Sequence, residues 1–215
     1  MAEHAYDRLI WDESTDIATT LGELGDAEFD TMSLCEGWRV RDVVSHMIVG
    51  HTTPLSTILL EVAKNRFSVP KASFEASREY GSAHSAAEIR DAWSAVARDH
   101  TRKGISKTIS EKEGFVDHLI HHQDIRRPVG RPRTIPAERL TAALDALPTI
   151  GGFLKSKQRM KDLSWRATDV DWSFGEGPEV SGPAEALILA SSGRPAALPE
   201  LSGDGHAALA SRLAA

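Results

Sequence analysis

The densest group of ionisable side chains in this chain lies in the stretch Phe115-Val116-Asp117-His118-Leu119-Ile120-His121-His122-Gln123-Asp124-Ile125-Arg126-Arg127. Its apolar residues recur three and four apart, which predicts a helix over residues 111–127. Side chains four apart lie on one face of a helix, so Asp117 and His121 form one possible chelating pair. His118 and His122 form a second possible pair. Either pair would supply two ligands and leave a bound metal open to chemistry.

A third ligand must come from another part of the chain, because a catalytic metal usually has about three protein ligands and this helix supplies two. We expect His46 to be that ligand. It lies beside the apolar stripe of a helix predicted over residues 40–62, and neighbouring helices can aim side chains at one point. The competing interpretation is a group of solvated surface histidines, which are common. On the residues alone, both interpretations stay open.

For several other residues we prefer a structural interpretation to a functional one. His51 falls on the apolar stripe of its helix, which favours a hydrogen-bonded core histidine. Arg126 and Arg127 could bind an anion, but positive charge at the end of a helix also complements the helix dipole. Cys35 is the single cysteine, no histidine lies near it in the sequence, and buried lone cysteines are usually inert. A metal in this chain therefore needs nitrogen and oxygen ligands.

The apolar pattern predicts four main helices, over residues 6–24, 40–62, 86–100 and 111–127. Pro54 should kink the second helix or end its first part, because proline removes a backbone donor. Residues 66–85 lack a clean period and predict a long connection with at most a short helical piece. Beyond residue 155, short strand patterns and a helix over residues 184–191 predict a small α/β piece. The expected fold is mainly α, with a four-helix bundle over residues 1–155 and a small α/β subdomain over residues 156–215.

Composition and charge exclude several classes of protein. The net charge of −6 gives no general attraction to nucleic acid, so we expect no nucleic-acid partner. Residues 1–7 are polar and acidic where a secretory signal would be basic and then apolar, and no run approaches the roughly 20 apolar residues of a membrane span. These features predict a cytoplasmic protein without a membrane partner.

Three separated segments resemble the actinobacterial maleylpyruvate isomerase family, the mycothiol-dependent branch of the DinB-like fold. Residues 33–47, SLCEGWRVRDVVSHM, resemble the family signature C-x-G-W-x-V-x-D-V-V-x-H. Residues 121–130, HHQDIRRPVG, resemble its second block H-x-x-D-x-x-x-x-x-G, and residues 187–194 resemble its C-terminal element L-x-x-x-x-x-G-R. The resemblance touches almost the whole chain and implies a DinB-like helical bundle.

The resemblance also implies a zinc-type divalent metal held by His46, Asp117 and His121. The resemblance favours the pair Asp117 and His121 over the pair His118 and His122, because His121 lies three residues before Asp124 as the family's ligand does. The family more typically has glutamate where this chain has Asp117, and the aspartate carboxylate reaches less far. Asp124 is then expected to support the ligands or to cap the helix.

The chemistry implied by the resemblance is thiol activation, with mycothiol as the thiol cosubstrate. A divalent metal lowers the pKa of a bound thiol, and the thiolate adds to a small electrophilic substrate, for transfer or for cis/trans isomerisation. We expect residues 66–85 to govern substrate choice, and a homodimer is one option for the assembly. Two alternatives are kept: a non-catalytic DinB-fold protein that binds a metal or a small ligand, and a metal-dependent hydrolase.

The ligand assignment predicts different effects on metal binding for alanine substitutions at two histidines of the same helix. His121→Ala should abolish metal binding and leave the bundle folded, because this residue lies off the apolar stripe. His118→Ala should change neither property. Equal loss from both substitutions, measured as metal content, would show that the other pair holds the metal.

Overall fold

The protein, described by a computed structural model over residues 3–152 and 154–214, divides into two compact units. The N-terminal unit is Met1–Pro132, and the C-terminal unit is Arg133–Ala215. The packing of the chain thus divides it after Pro132, and the subdivision predicted after residue 155 stays a prediction.

The N-terminal unit is built from α-helices. Those described are α1 (Glu3–Glu23), α2 (Val40–Thr52), α3 (Leu55–Lys64), α4 (Val69–Ala83), α5 (Ala86–Asp99) and α6 (Glu111–Arg126). Both α1 and α2 pack against α5 and α6, and α2 also packs against α4. The core that these helices enclose includes the buried side chains of Ile17, Phe29, Val44, Ile89 and Trp93. Among the residues that the structure describes, no helix is both long and apolar enough to cross a membrane.

Pro54 ends the second predicted helix and does not merely kink it. The helix α2 stops at Thr52, and α3 begins after Pro54 as a separate helix. Proline has no backbone N–H to continue the α2 hydrogen bonds, which is why the chain breaks here. The carbonyl of Pro54 then accepts hydrogen bonds from Thr57 N at 3.0 Å and Ile58 N at 3.2 Å, which start α3.

The prediction of a long connection over residues 66–85 is wrong, because this segment contains the 15-residue helix α4. Ser68 caps the helix through its side-chain oxygen, and Pro70 lies in the first turn, where proline is tolerated. Small side chains fill the buried positions of this helix, so it has few of the large apolar residues on which the apolar pattern rests. The buried residues of α4 are all small: Ala72, Ser77 and Gly81.

The C-terminal unit combines a small sheet with short helices. Its described elements are α7 (Ala137–Ala146), α8 (Ser156–Met160), β1 (Ser164–Ala167), β2 (Ser173–Phe174), β3 (Glu179–Gly182), α9 (Ala184–Ser191) and α10 (His206–Leu213). The strand β1 lies between an antiparallel β2 and a parallel β3, and Trp165 is opposite both Phe174 and Val180. The predicted fold class, mainly α with a small C-terminal α/β part, is confirmed.

The contact between α2 and α4 depends on the absence of a side chain at Gly81. A Cβ atom there would lie 2.7 Å from Asp42 Oδ1 and 3.2 Å from Ser45 Oγ. Asp42 has little freedom to move, because Arg39 donates to it from its backbone N at 2.9 Å and from Nη2 at 2.9 Å. The close approach of the two helices therefore requires glycine.

Gly81→Ala is expected to lower the free energy of unfolding by about 1–3 kcal/mol, because the added methyl group overpacks this contact. Gly22→Ala is the matched control, since Gly22 also lies in a helix and its Cβ would meet no atom within 4 Å. There alanine should raise stability by up to about 1 kcal/mol, because helical glycine costs conformational entropy. Denaturant unfolding followed by circular dichroism measures both changes, and equal effects at the two positions would contradict the close-packing account.

Candidate metal centre

The helix α6 is enclosed by other elements along most of its length. Within residues 114–126 every residue is buried except Asp117, whose side chain is 29% exposed. Buried polar groups need hydrogen-bonding partners, since an unpaired one costs free energy. Arg126, for example, donates to Arg131 O at 2.9 Å and to Gln123 Oε1, in agreement with its structural interpretation. The alternative of solvated surface histidines is wrong for this helix.

Two of the α6 histidines belong to the core between α1 and α6. His122 Nδ1 lies 2.7 Å from Glu13 Oε1, and its Nε2 lies 2.8 Å from Thr20 Oγ1. His118 Nδ1 lies 3.1 Å from Ser14 Oγ. Neither histidine belongs to a group with metal-ligand spacing among the residues that the structure describes. These two rings therefore stabilise the core.

His118 also contacts His51, which connects it to α2. The two Nε2 atoms lie 3.1 Å apart, and Ser106 Oγ lies 3.3 Å from His51 Nδ1. Burial, and then the proximity of His118, lower the pKa of His51 to about 3, so its ring is neutral at pH 7. The interpretation of His51 as a hydrogen-bonded core histidine is confirmed. The expectation that His118→Ala leaves the fold unaffected needs correction, because this substitution removes a buried, hydrogen-bonded ring.

The three ligands predicted from the sequence are brought together by α2 and α6. His46, Asp117 and His121 each offer one donor atom, and these atoms lie within 4.8 Å of one another. His121 Nε2 is 3.4 Å from Asp117 Oδ1, and the His46 and His121 ring centroids are 5.2 Å apart. Donors about 2.0–2.2 Å from a tetrahedral metal lie roughly 3.5 Å apart, so two nitrogens and one oxygen at this spacing fit a divalent ion such as zinc. The assignment of these residues as ligands stays a prediction.

Each of the two histidines is held at its Nδ1 atom. Ser73 Oγ on α4 lies 3.1 Å from His46 Nδ1. His121 Nδ1 lies 2.9 Å from Asp124 Oδ2, and because an ionised carboxylate can only accept, this bond keeps a proton on Nδ1. In both rings Nε2 is then the nitrogen that a metal would bind, and the contacts at Nδ1 fix the ring orientation. Asp124 thus supports a candidate ligand, one of the two roles expected for it.

Asp117 and His121 stabilise each other's charged forms. Burial raises the pKa of the Asp117 carboxyl, but the charge and hydrogen bond of His121 outweigh burial and hold this pKa below its usual value. Burial lowers the pKa of His121, but its contacts with Asp117 and Asp124 outweigh burial and hold this pKa well above its usual value. A divalent cation at this position would replace the proton on Nε2, so protons and metal compete for the site.

Cys35 is the site residue that sequence reasoning missed. Its Sγ donates to Asp124 Oδ2 at 3.1 Å, and Cys35, His121 and Asp124 form a second group of donor atoms within 4.8 Å of one another. The fold therefore brings His121 close to this cysteine, although no histidine lies near it in the sequence. Cys35 and Asp124 are 89 residues apart, so no local spacing could reveal the contact. The one available signal was the signature block, in which Cys35 precedes His46.

The turn before α2 and the helix α4 border the candidate ligands. The ring of Trp38 lies 5.1 Å from that of His46 and 6.2 Å from that of Phe74. Gly37 has a φ of +77°, and a Cβ there would lie 3.2 Å from Phe74 Cε2. The turn therefore takes a left-handed conformation that favours glycine and packs closely against α4. Residues 66–85 thus contribute Ser73 and Phe74 to the surroundings of the site.

Comparison with known proteins finds one matching family and two solved structures of similar fold. A family model described as the mycothiol maleylpyruvate isomerase N-terminal domain matches residues 10–126. Two solved structures are similar in fold, the mycothiol-dependent maleylpyruvate isomerase at a TM-score of 0.62 and a histidine-to-alanine mutant of it at 0.63. Each is 16% identical to this chain, and the match covers 96% of this chain and 94% of that chain. The search of curated proteins found no match.

Glu13→Ala is expected to lower the free energy of unfolding by about 1–3 kcal/mol, because it leaves Nδ1 of the fully buried His122 without its hydrogen-bonding partner. Asp12→Ala is the control, since it removes an exposed α1 carboxylate that pairs with Arg8 at 3.0 Å and should change stability little. Denaturant unfolding measures both effects. Metal content should be unchanged in folded protein of either variant, and its loss in Glu13→Ala would contradict a purely structural role for His122.

Proposed function

Since the chain belongs to the mycothiol maleylpyruvate isomerase family, whose model matches more than half of it, we propose that it is a mycothiol-dependent isomerase that uses a divalent metal. The observation that carries the proposal is the convergence of His46, Asp117 and His121 from two helices within the matched residues. Zinc is the ion we propose, because two imidazoles and one carboxylate are a donor set typical of catalytic zinc.

The metal, when bound, would lower the pKa of the mycothiol sulfur and so supply a thiolate at neutral pH. The chain's own residues prepare the site for this. His121 becomes a neutral donor once a metal replaces its Nε2 proton, His46 offers a second imidazole nitrogen, and Asp117 contributes one negative charge. Asp124 Oδ2 lies 2.9 Å from His121 Nδ1 and keeps a proton on that nitrogen. This hydrogen bond leaves His121 Nε2 directed at the site.

The proposed substrate is a small molecule with a cis double bond conjugated to a carbonyl group. The thiolate sulfur forms a bond to one alkene carbon, and the π electrons move onto the conjugated carbonyl oxygen. The remaining carbon–carbon single bond rotates. The electrons then return, the carbon–sulfur bond breaks, and the trans product and the thiolate separate. Atoms and electrons balance, so the thiol is regenerated in each turnover.

The same site would support a thiol transferase if the adduct were protonated and released before the carbon–sulfur bond breaks. The family membership favours isomerisation over transfer. Substrate choice is proposed to depend on α4, because Ser73 and Phe74 lie beside the His46 and Trp38 rings. A cytoplasmic location is part of the proposal, since low-molecular-weight thiols stay reduced in that compartment.

His46→Ala, Asp117→Asn and His121→Ala are each expected to weaken zinc binding by at least about 100-fold, because each removes one of three ligands and outer-shell changes alone cost 10- to 100-fold. His206→Ala is the matched control, since it removes a histidine of the C-terminal unit whose Nε2 lies 3.0 Å from Leu198 O. Elemental analysis and competition with a chromophoric chelator, on protein purified without a histidine tag, give the stoichiometry and affinity. Unchanged zinc binding in the first three variants would exclude this ligand set.

The zinc-loaded protein should convert maleylpyruvate to its trans isomer only when mycothiol is present. Ultraviolet absorbance measures this conversion. His121→Ala should lose nearly all of this activity, whereas His206→Ala should keep it. Hydrolysis of a test substrate by the zinc-loaded protein without any thiol would favour the metal-dependent hydrolase. Stoichiometric zinc with no thiol-dependent reaction across a panel of electrophiles would favour the non-catalytic binding protein.

A further inference from the structure

The buried carboxylate of Asp124 connects two groups that lie far apart in the sequence. Asp124 is 0% exposed, and its Oδ2 atom accepts hydrogen bonds from His121 Nδ1 at 2.9 Å and from Cys35 Sγ at 3.1 Å. The imidazole and the thiol thus share one carboxylate oxygen. Because Asp124 lies three residues after His121 on the same helix, its rotamer sets the direction in which the His121 ring is held.

The loop that carries Cys35 is itself held in place. Cys35 N donates to Ser33 Oγ at 3.1 Å, and Ser33 Oγ donates to Trp38 O at 2.9 Å. The backbone of Leu34 donates to Asp124 O at 3.3 Å, which fastens the loop to α6. The thiol therefore reaches Asp124 from a rigid turn, so the hydrogen bond can resist rotation of the carboxylate.

The side chain of Cys35 also packs against the apolar core of the N-terminal unit. A thiol suits such a position, because it behaves as a small apolar group and still offers a weak donor. A hydroxyl would donate the hydrogen bond more strongly but would pack less well, and a methyl group would pack but could not donate. The thiol of Cys35 combines both properties at this position.

We infer that Cys35 is a positioning residue, whose hydrogen bond fixes Asp124 and through it the metal-binding orientation of His121. This inference rests on the proposed function, since it concerns the same metal site. It differs from an assignment of Cys35 as a ligand. In the structure the thiol and the imidazole both point hydrogens at one oxygen, and a metal among Cys35, Asp124 and His121 Nδ1 would have to displace both hydrogen bonds.

The test compares cobalt(II) binding to the wild-type protein, Cys35→Ala, Cys35→Ser and Met32→Ala. Met32 is the matched control, because it lies in the same connection before α2 and is 55% exposed. Cys35→Ala should weaken cobalt binding by about 10- to 100-fold and change the d–d spectrum, as expected for loss of a group that orients a ligand. Cys35→Ser, which keeps a donor, should restore most of the affinity, and Met32→Ala should match the wild type.

Two results would overturn the inference. One is an affinity and spectrum of Cys35→Ala identical to those of the wild type in folded protein. The other is an intense thiolate-to-cobalt charge-transfer band in the wild type without added thiol, which would make Cys35 a ligand. Thermal unfolding of each metal-free variant shows whether it is folded.

A measurement on the metal-free protein tests the positioning role of Cys35 independently of the proposed function. Long-range ¹H–¹⁵N NMR of the metal-free protein reports the protonation of the two His121 ring nitrogens. Cys35→Ala should change the His121 signals, and Cys35→Ser should restore them. If the wild-type protein bound no metal, the proposed function would fail, while unchanged His121 signals in Cys35→Ala would separately overturn the positioning role.

Discussion

The structure of the N-terminal unit depends on the near-complete burial of α6. This helix contains three histidines, an aspartate and an arginine within residues 118–126, and each of them is buried. A buried polar group without a partner costs about 1–3 kcal/mol, so the surrounding helices must supply partners on every side. The helix α1 supplies Glu13, Ser14 and Thr20 on one side. On the other side α2 supplies His46 and the preceding turn supplies Cys35.

The three histidines of α6 differ in the partners of their ring nitrogens, and this difference separates the structural histidines from the candidate ligand. His118 and His122 have hydrogen-bonding partners at both ring nitrogens, which leaves neither nitrogen for a metal. His121 instead has carboxylates at both nitrogens, and Asp117 is partly exposed. Carboxylates attract metal cations as well as protons. Among the three histidines of α6, only His121 therefore lies beside both negative charge and a partly exposed group, the two conditions that metal binding needs.

Much of the fold could be predicted from the sequence, because α1, α5 and α6 bury apolar side chains at helical spacing. The helix α4 could not, because its buried residues are Ala72, Ser77 and Gly81, and these small side chains do not give the pattern of large apolar residues that marks the other helices. The pairing of Asp117 with His121 follows from their separation by one helical turn. The choice of this pair over His118 and His122 needed the family resemblance, because both pairs have the same spacing. The contacts of Cys35 and Ser73 are tertiary, so no local spacing could predict them.

The central claim is that His46, Asp117 and His121 hold a divalent metal that accepts the sulfur of an external thiol. X-ray absorption spectroscopy of the zinc-loaded protein tests it most directly, because it distinguishes nitrogen and oxygen ligands from sulfur. Without thiol, we expect a first shell of nitrogen and oxygen atoms that includes two imidazoles. Addition of mycothiol should introduce one sulfur at about 2.3 Å. Sulfur in the first shell before thiol is added, or none after, would contradict the claim.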